Sequence, residues 1–365
     1  MIIKSILAWF FSNLPVFTAA VLLLGSSVLF SGCYTLKQGT TMLGYLNRAV
    51  PLEKIARNET ASEDERLFVK RVDNIRRFAM EALGLKESKN YTRYVELDRD
   101  YLAAVVSASA KDSFTRHEWW FPVVGKVPYK GFFKPEDARK ERKKLEKKDL
   151  DVWIRRVDAF STLGWFRDPL YSFMKGYSDQ DLAELIIHEL FHATVFVKNQ
   201  AQFNEELAQF VGTEGARLYM EKLRGADPGP EDTAEADSGD ADAKTEQELY
   251  LAFIRSLIAE LDEVYKSEIP REEKLKRKEE IIDKAKADFD THYDSNYKTD
   301  NYRAFSKLAV NNAYLELYRL YYEEDRYYKE LYEKSGRDLP KFIAAAKTIN
   351  NKSNAKVQLE KALGL

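Results

Sequence analysis

The hydrophobic pattern begins with a long apolar run and continues as segments typical of helices and short strands. After Ser62, where Glu65 completes a capping box, hydrophobic residues recur at helical spacing. The predicted elements are a helix ending at Gly84, strands within 91–107 and 119–133, a charged helix over 135–151, helices over 178–198 and 205–222, and helices over 246–288, 302–331 and 339–363. This order predicts an α+β fold with a small antiparallel sheet and a mostly helical C-terminal part.

One stretch interrupts the helical pattern. Residues 225–243 carry seven acidic residues and no basic one, together with Gly and Pro. This composition favours an exposed, disordered loop. The helices that follow are highly charged, and Pro270 is expected to divide them. The predicted divisions are a leader over 1–32, a core over 33–224, an acidic loop over 225–245, a charged helical insertion over 246–300, and C-terminal helices over 301–365 that pack on the core.

The composition excludes several classes of protein. A single cysteine among 365 residues rules out an intrachain disulfide and a cysteine-rich zinc finger. With 57 basic and 59 acidic residues the formal net charge is −2, so the chain lacks the broad basic field that binds nucleic acid. The hydrophobic share of 45% is enough for a sizeable core. We therefore expect a globular protein with no nucleic-acid partner.

The only cysteine lies at the end of the N-terminal apolar run. The segment from Phe30 to Cys33 resembles the lipobox of bacterial lipoproteins, in which the cysteine is lipidated and becomes the mature N-terminus. We expect residues 1–32 to be a signal peptide and the mature chain to be tethered to a membrane of the cell envelope. Tyr34 differs from the Asp of an inner-membrane retention signal, which favours the outer membrane. An uncleaved anchor helix is the alternative.

Two of the four histidines, His188 and His192, form an H-E-x-x-H motif with Glu189. Side chains four residues apart project from one face of a helix, so both imidazoles can bind one Zn²⁺. Glu189 is then positioned to act as general base on the attacking water. A hydrolytic zinc site needs a third protein ligand and an open position. Glu205, at the start of the next predicted helix, is the candidate, and Glu206 is its competitor.

Segments around this motif resemble known metallopeptidases. The Asn-Glu pair at 204–205 is similar to the third-ligand segment of gluzincins such as thermolysin, although Gln209 stands where those enzymes have an Asp. A closer resemblance is to the bacterial "predicted aminopeptidase" family of zinc-dependent lipoproteins. The segments that carry it are 129–133, 164–170, 181–192, 203–208 and 311–313. This resemblance implies a zincin-like metallopeptidase core that hydrolyses peptides with the help of zinc.

Four further positions have candidate roles, each with a structural alternative. Tyr321 is a candidate donor to the developing oxyanion, or a core tyrosine in an aromatic-rich helix. Asp168 is a candidate for binding the substrate's α-amine, or part of an Asp-Pro turn. Glu184, one turn before His188, is the second amine candidate, or a solvated side chain. The segment 161–166 is a candidate for the edge strand that aligns a peptide backbone.

Three functions are compatible with these patterns. The first is a zinc aminopeptidase of the cell envelope, acting on a peptide substrate and held at the membrane by its lipid anchor. The second is a zinc endopeptidase that acts on envelope proteins. The third is a non-enzymatic lipoprotein in which zinc only stabilises the fold. The H-E-x-x-H motif with an open coordination position favours the two enzymes, and the family resemblance favours the first.

Overall fold

The chain divides into two units in the computed structural model, which describes residues 34–121, 125–159, 167–226, 233–322, 325–350 and 354–365. The first unit ends at Ala49, and its residues 34–48 form a helix, α1. Of the helices described, none is both long and apolar enough to cross a membrane. Cys33 and the candidate edge strand at 161–166 lie outside the described residues, so the predictions made for them stay predictions.

The second unit, from Val50 to Leu365, is mixed α+β and mostly helical, which confirms the predicted class. Its strands are β1 (Val50–Pro51), β2 (Arg93–Val95), β3 (Ala103–Ala110), β4 (Trp119–Phe121), β5 (Gly125–Val127), β6 (Tyr129–Phe132), β7 (Leu150–Val157) and β8 (Leu170–Tyr171). Its helices are α2 (Leu52–Ala56), α3 (Glu63–Arg77), α4 (Pro135–Glu146), α5 (Asp179–Thr194), α6 (Ala201–Ala226), α7 (Thr233–Lys266), α8 (Arg271–Asn296), α9 (Asn312–Tyr322), α10 (Asp325–Lys334), α11 (Leu339–Ala346) and α12 (Ala355–Leu363).

The largest described sheet has the order β6-β3-β7 and is antiparallel throughout. Ser107 of β3 lies between Tyr129 and Trp153 in one row, and Arg155 follows two residues along β7. Residues two apart on a strand share a face, so all of these side chains project to the same side. Helix α9 covers that side, where Tyr314 contacts Trp153 with ring centroids 4.8 Å apart. Helix α4 covers the other side.

A second described sheet departs from the antiparallel expectation. Its order is β1-β2-β8, and β2 pairs with β8 in parallel, with Tyr94 opposite Leu170.

The predicted helix over 135–151 is shorter than expected. It ends at Glu146, and Asp149 adopts a positive φ of 60° before β7 begins. An Asp in this conformation reverses the chain, which a charge pattern does not reveal.

The acidic stretch is the clearest difference from the sequence prediction. Helix α7 already begins at Thr233, so residues 233–245 are helical and the prediction of a loop there is wrong. Ala and Glu, which favour helices, alternate with Asp in this segment, and acidic residues are stabilising in the first turns of a helix. Residues 227–232 lie outside the described part of the chain. Pro270 precedes the first residue of α8, as predicted.

The two charged helices share a core with the rest of the second unit. Helices α7 and α8 pack together and bury aromatic rings against α9, and the Tyr250 and Tyr314 hydroxyls lie 2.7 Å apart. The buried members of this aromatic cluster include Tyr250, Phe289, Tyr293, Tyr297, Phe305 and Tyr314. Trp153 of β7 packs against the same cluster. The predicted insertion is therefore part of the core on the side of the sheet that α9 covers.

Asn312 connects this core to the end of β3. The residue is fully buried, and its Nδ2 donates to the carbonyls of Ala110, Lys111 and Ser113 at 2.9, 3.2 and 3.2 Å. Its Oδ1 accepts from the Tyr265 hydroxyl at 2.8 Å. One amide therefore satisfies buried groups from the sheet and from α7, and so positions the start of α9 against both.

We expect Asn312→Ala to lower the free energy of unfolding by about 3 kcal/mol, because several buried polar groups lose their partner at once. Chemical denaturation of the purified protein measures this. Asn301→Ala, at an exposed asparagine, is the control and should change stability by less than about 0.5 kcal/mol. A loss below about 1 kcal/mol at Asn312 would contradict the assigned role.

Candidate metal centre

Helix α5 carries the H-E-x-x-H motif, and its start is defined by local chemistry. The Ser178 hydroxyl accepts a hydrogen bond from the Asp181 backbone N–H at 3.0 Å and so caps the helix. Leu182, Ile186 and Leu190 are completely or almost completely buried along one side of the helix. This side anchors the helix in the core, so the neighbouring face that carries the histidines is turned toward α6.

Helix α6 is positioned by an asparagine that precedes the third candidate ligand. The Asn204 side chain accepts from the Val197 N–H and donates to the Val197 carbonyl, both at 2.8 Å. These two hydrogen bonds to one residue close the loop between α5 and α6. Because the helix begins at Ala201, Glu205 lies in its second turn and not at its start as predicted.

The two helices approach each other closely at Gly212 of α6. A Cβ on Gly212 would lie 3.1 Å from both the Glu184 carbonyl oxygen and the His188 Cβ. Such distances are shorter than ordinary van der Waals contact, so a side chain here would push the two helices apart by a few tenths of an ångström. This close approach brings Glu205 within reach of the histidines.

His188, His192 and Glu205 converge on one point. The two Nε2 atoms are 3.1 Å apart, and Glu205 Oε2 lies 3.8 Å from His188 Nε2 and 3.7 Å from His192 Nε2. Two nitrogens at about 2.05 Å from a tetrahedral zinc would be about 3.3 Å apart, which is close to the observed separation. Among the described residues, these three form the group of donor atoms that could hold a metal ion.

The protonation states of these groups suit metal binding. Burial, reinforced by the charge of His192, lowers the pKa of His188 to about 3, so this imidazole is neutral. Although burial works in the opposite direction, His192 lowers the pKa of Glu205 to about 2, so this carboxyl is ionised. Burial acts to lower the pKa of His192, but the charge of Glu205 outweighs it, so the pKa is raised. A metal ion can therefore bind the neutral His188 and the ionised Glu205 without displacing a proton from either.

Glu189 lies beside this group without belonging to it. Burial raises its pKa to about 7, and the charges of Glu205 and Asp168 add to the shift, opposed by His192. Its Oε2 atom is buried and accepts no hydrogen bond from the described residues. A carboxyl group whose pKa is near neutral pH, and which has one oxygen without a hydrogen bond, is suited to accept and return a proton.

Three side chains from the sheet and α9 complete the surroundings. The Tyr129 hydroxyl donates to Glu205 Oε1 at 2.9 Å, which leaves Oε2 directed at the histidines. Arg155 Nη2 donates to the Tyr321 hydroxyl oxygen at 2.7 Å. Burial raises the pKa of Tyr321, and the charge of Glu205 also acts in that direction, so the phenol stays protonated. Tyr321 therefore lies near the candidate metal centre, close enough for the charges of Glu205 and Glu189 to act on it.

Sequence reasoning assigned no role to Tyr129 or Arg155. Tyr129 lies in a segment that carries the family resemblance, but only the fold shows that its hydroxyl reaches a ligand. Arg155 is adjacent to Arg156, and charge alone does not tell the two apart. The register of β7 places Arg155 on the side of Tyr129, while Arg156 points away and is 67% exposed.

The remaining candidates are distributed around the centre. Glu184 Oε1 accepts from Gln209 at 2.6 Å and from Thr213 at 2.8 Å, so both Glu184 and Gln209 are engaged between α5 and α6. Gln209 thus bonds a glutamate and not a histidine. Glu206 is buried and accepts from a glutamine on its own helix, away from the histidine pair. Asp168 is buried, bonded to the Asn90 amide at 3.3 Å, and near enough to influence Glu189.

We expect Gly212→Ala to lower the free energy of unfolding by about 1–3 kcal/mol, because the added methyl group overpacks the contact between α5 and α6. Equilibrium denaturation measures the change. Gly225→Ala, in open space near the end of the same helix, is the matched control and should be neutral or stabilising by up to about 1 kcal/mol. Equal stability of the two variants would refute the close packing.

Comparison with known proteins places the chain in a family. A family model described as "Putative aminopeptidase" matches residues 33–361, which is most of the chain. No curated protein and no solved structure matches it. The match supports a peptidase function at a coarse level and agrees with the resemblance seen in the sequence. The protein belongs to the "Putative aminopeptidase" family.

Proposed function

We propose that this protein is a zinc-dependent peptidase that removes N-terminal residues from peptides. The observation that carries the proposal is the convergence of His188, His192 and Glu205 beside Glu189, whose Oε2 atom is buried. The family match supports the peptidase class, and the geometry of the three donor atoms supports a bound metal ion. Two imidazoles and one carboxylate leave one coordination position open in a tetrahedral site, as hydrolytic zinc enzymes require.

The donor set favours zinc. Two nitrogen ligands and a single oxygen ligand suit Zn²⁺ better than Ca²⁺ or Mg²⁺, which prefer oxygen. When bound there, zinc supplies Lewis acidity that polarises the scissile carbonyl and makes water more acidic. The Tyr129 hydroxyl keeps Glu205 oriented for this role, since a ligand carboxylate is commonly fixed by a hydrogen bond to its second oxygen.

Each proton in the reaction can be assigned to a side chain. Glu189 accepts a proton from the attacking water while the water oxygen bonds to the scissile carbon. The same carboxyl then returns this proton to the amine nitrogen as the C–N bond breaks. Its pKa of about 7, due to burial, suits both steps. The Tyr321 phenol donates a hydrogen bond to the carbonyl oxygen as negative charge develops on it.

The contact between Arg155 and Tyr321 orients the phenol. Because the Tyr321 oxygen accepts from Arg155 Nη2, its own proton is directed elsewhere and remains available. Asp168 is the better candidate for the substrate's α-amine, since it lies near Glu189, whereas Glu184 is engaged by Gln209 and Thr213. The aminopeptidase proposal therefore places the free amine on the Asp168 side of the centre.

We expect Glu189→Gln to lower kcat/KM for peptide hydrolysis by roughly 100- to 10,000-fold, because it removes the general base. Initial rates on aminoacyl chromogenic substrates measure this. Glu221→Gln, an exposed acid on α6, is the control and should change the rate less than twofold. Full activity in Glu189→Gln would refute the mechanism. Cleavage of internally quenched peptides with blocked amines, at rates equal to those on free amines, would instead identify an endopeptidase.

A further inference from the structure

Arg155 is a partly buried cation that forms no ion pair with a carboxylate of the described residues. Its Nη2 donates to the neutral Tyr321 hydroxyl at 2.7 Å, while its Nε is buried and has no hydrogen-bond acceptor in the described part of the chain. No aspartate or glutamate of the described residues lies within ion-pair distance of it. The charge of Glu205 acts on Arg155 without an ion pair between them, and the buried Nε still lacks an acceptor. A buried donor without an acceptor is unfavourable, so an additional carboxylate is expected to complete this environment.

The neighbouring arginines show the usual arrangement. Arg116 pairs with Glu316, and Arg319 reaches the same carboxylate at 2.8 Å. Arg156, the next residue along β7, pairs with Asp100 at 3.2 Å on the exposed side of the sheet. Each of these guanidinium groups therefore has an acid within the protein, and Arg155 differs from them.

The position of Arg155 relates it to the metal centre. It projects from the same face of the sheet as Tyr129, whose hydroxyl bonds Glu205 at 2.9 Å. Besides burial, which dominates both shifts, the charge of Arg155 lowers the pKa values of His188 and Glu189. The guanidinium thus lies close enough to the candidate ligands for its charge to act on them.

We propose that Arg155 binds the free C-terminal carboxylate of the substrate, so that the preferred substrates are dipeptides and similarly short peptides. This inference rests on the proposed peptidase function and specifies its substrate class. The carboxylate of a dipeptide belongs to the residue directly after the scissile bond, and it lies only a few ångströms from the scissile carbon. A single site that holds the bond at the metal therefore brings the carboxylate to Arg155.

The chemistry of the guanidinium favours a carboxylate. Arg carries five donors in a planar fork that matches the two oxygens of a carboxylate, and only Nη2 is used here by a described residue. Gly131 lies in the same row of the sheet as Arg155, across Val105, and adds no side chain above that face. The developing oxyanion has Tyr321 as its donor, which leaves the unused guanidinium donors for another part of the substrate.

Equilibrium binding tests the proposal without turnover. The parent protein is the full chain with Glu189→Gln, loaded with Zn²⁺, and the probes are Ala-Phe and its C-terminal amide. Calorimetry should show that the parent binds the acid roughly 10- to 100-fold more tightly than the amide, as expected for a charge-assisted hydrogen bond. Adding Arg155→Gln should reduce this ratio to about one, and Arg155→Lys should retain part of it.

The matched control is Arg156→Gln in the same parent, which alters the neighbouring arginine on the exposed side and should keep the full ratio. Equal binding of acid and amide by the parent overturns the proposal, and this result needs no Arg155 variant to fold. A ratio that survives Arg155→Gln overturns it as well. If the wild-type protein cleaves no peptide while the parent still prefers the acid, the peptidase function fails and the carboxylate site stands.

Discussion

The close contact between α5 and α6 at Gly212 is the constraint on which the metal centre depends. The histidines share one helix and would face the same way in any fold that keeps it. Glu205 is brought to them only because a residue without a side chain lets the second helix approach the His188 backbone. Asn204 strengthens this arrangement by closing the intervening loop on Val197. The ligand set is thus a consequence of helix packing.

The sheet supplies the other half of the centre. One face of β6 and β7 carries Tyr129 and Arg155, and α9 adds Tyr321 from above that face. The acids and imidazoles come from α5 and α6, whereas the phenols and the guanidinium come from the sheet and α9. This division explains how a carboxyl with a pKa of about 7 and a guanidinium without an ion pair to a described residue occur at one place, since each is positioned by a separate part of the core.

Short-range signals predicted well what short-range chemistry determines. The capping box at Ser62, the break at Pro270 and the shared face of the histidine pair follow from spacing and local hydrogen bonding, and the structure agrees with all three. The acidic stretch was predicted to be a loop because of its charge and its Gly and Pro residues, yet its Ala and Glu residues favour the helix that begins at Thr233. The distinction between Arg155 and its neighbour required the register of β7, which depends on pairing between residues about 50 positions apart.

The most direct measurement of the central claim is the zinc content of the purified protein and two matched variants. The account predicts about one bound zinc per chain in the wild type and in Glu206→Gln, and loss of tight binding in Glu205→Gln, because only Glu205 faces the histidine pair. Zinc retained at full affinity by Glu205→Gln, or a wild-type protein that binds none, would contradict it.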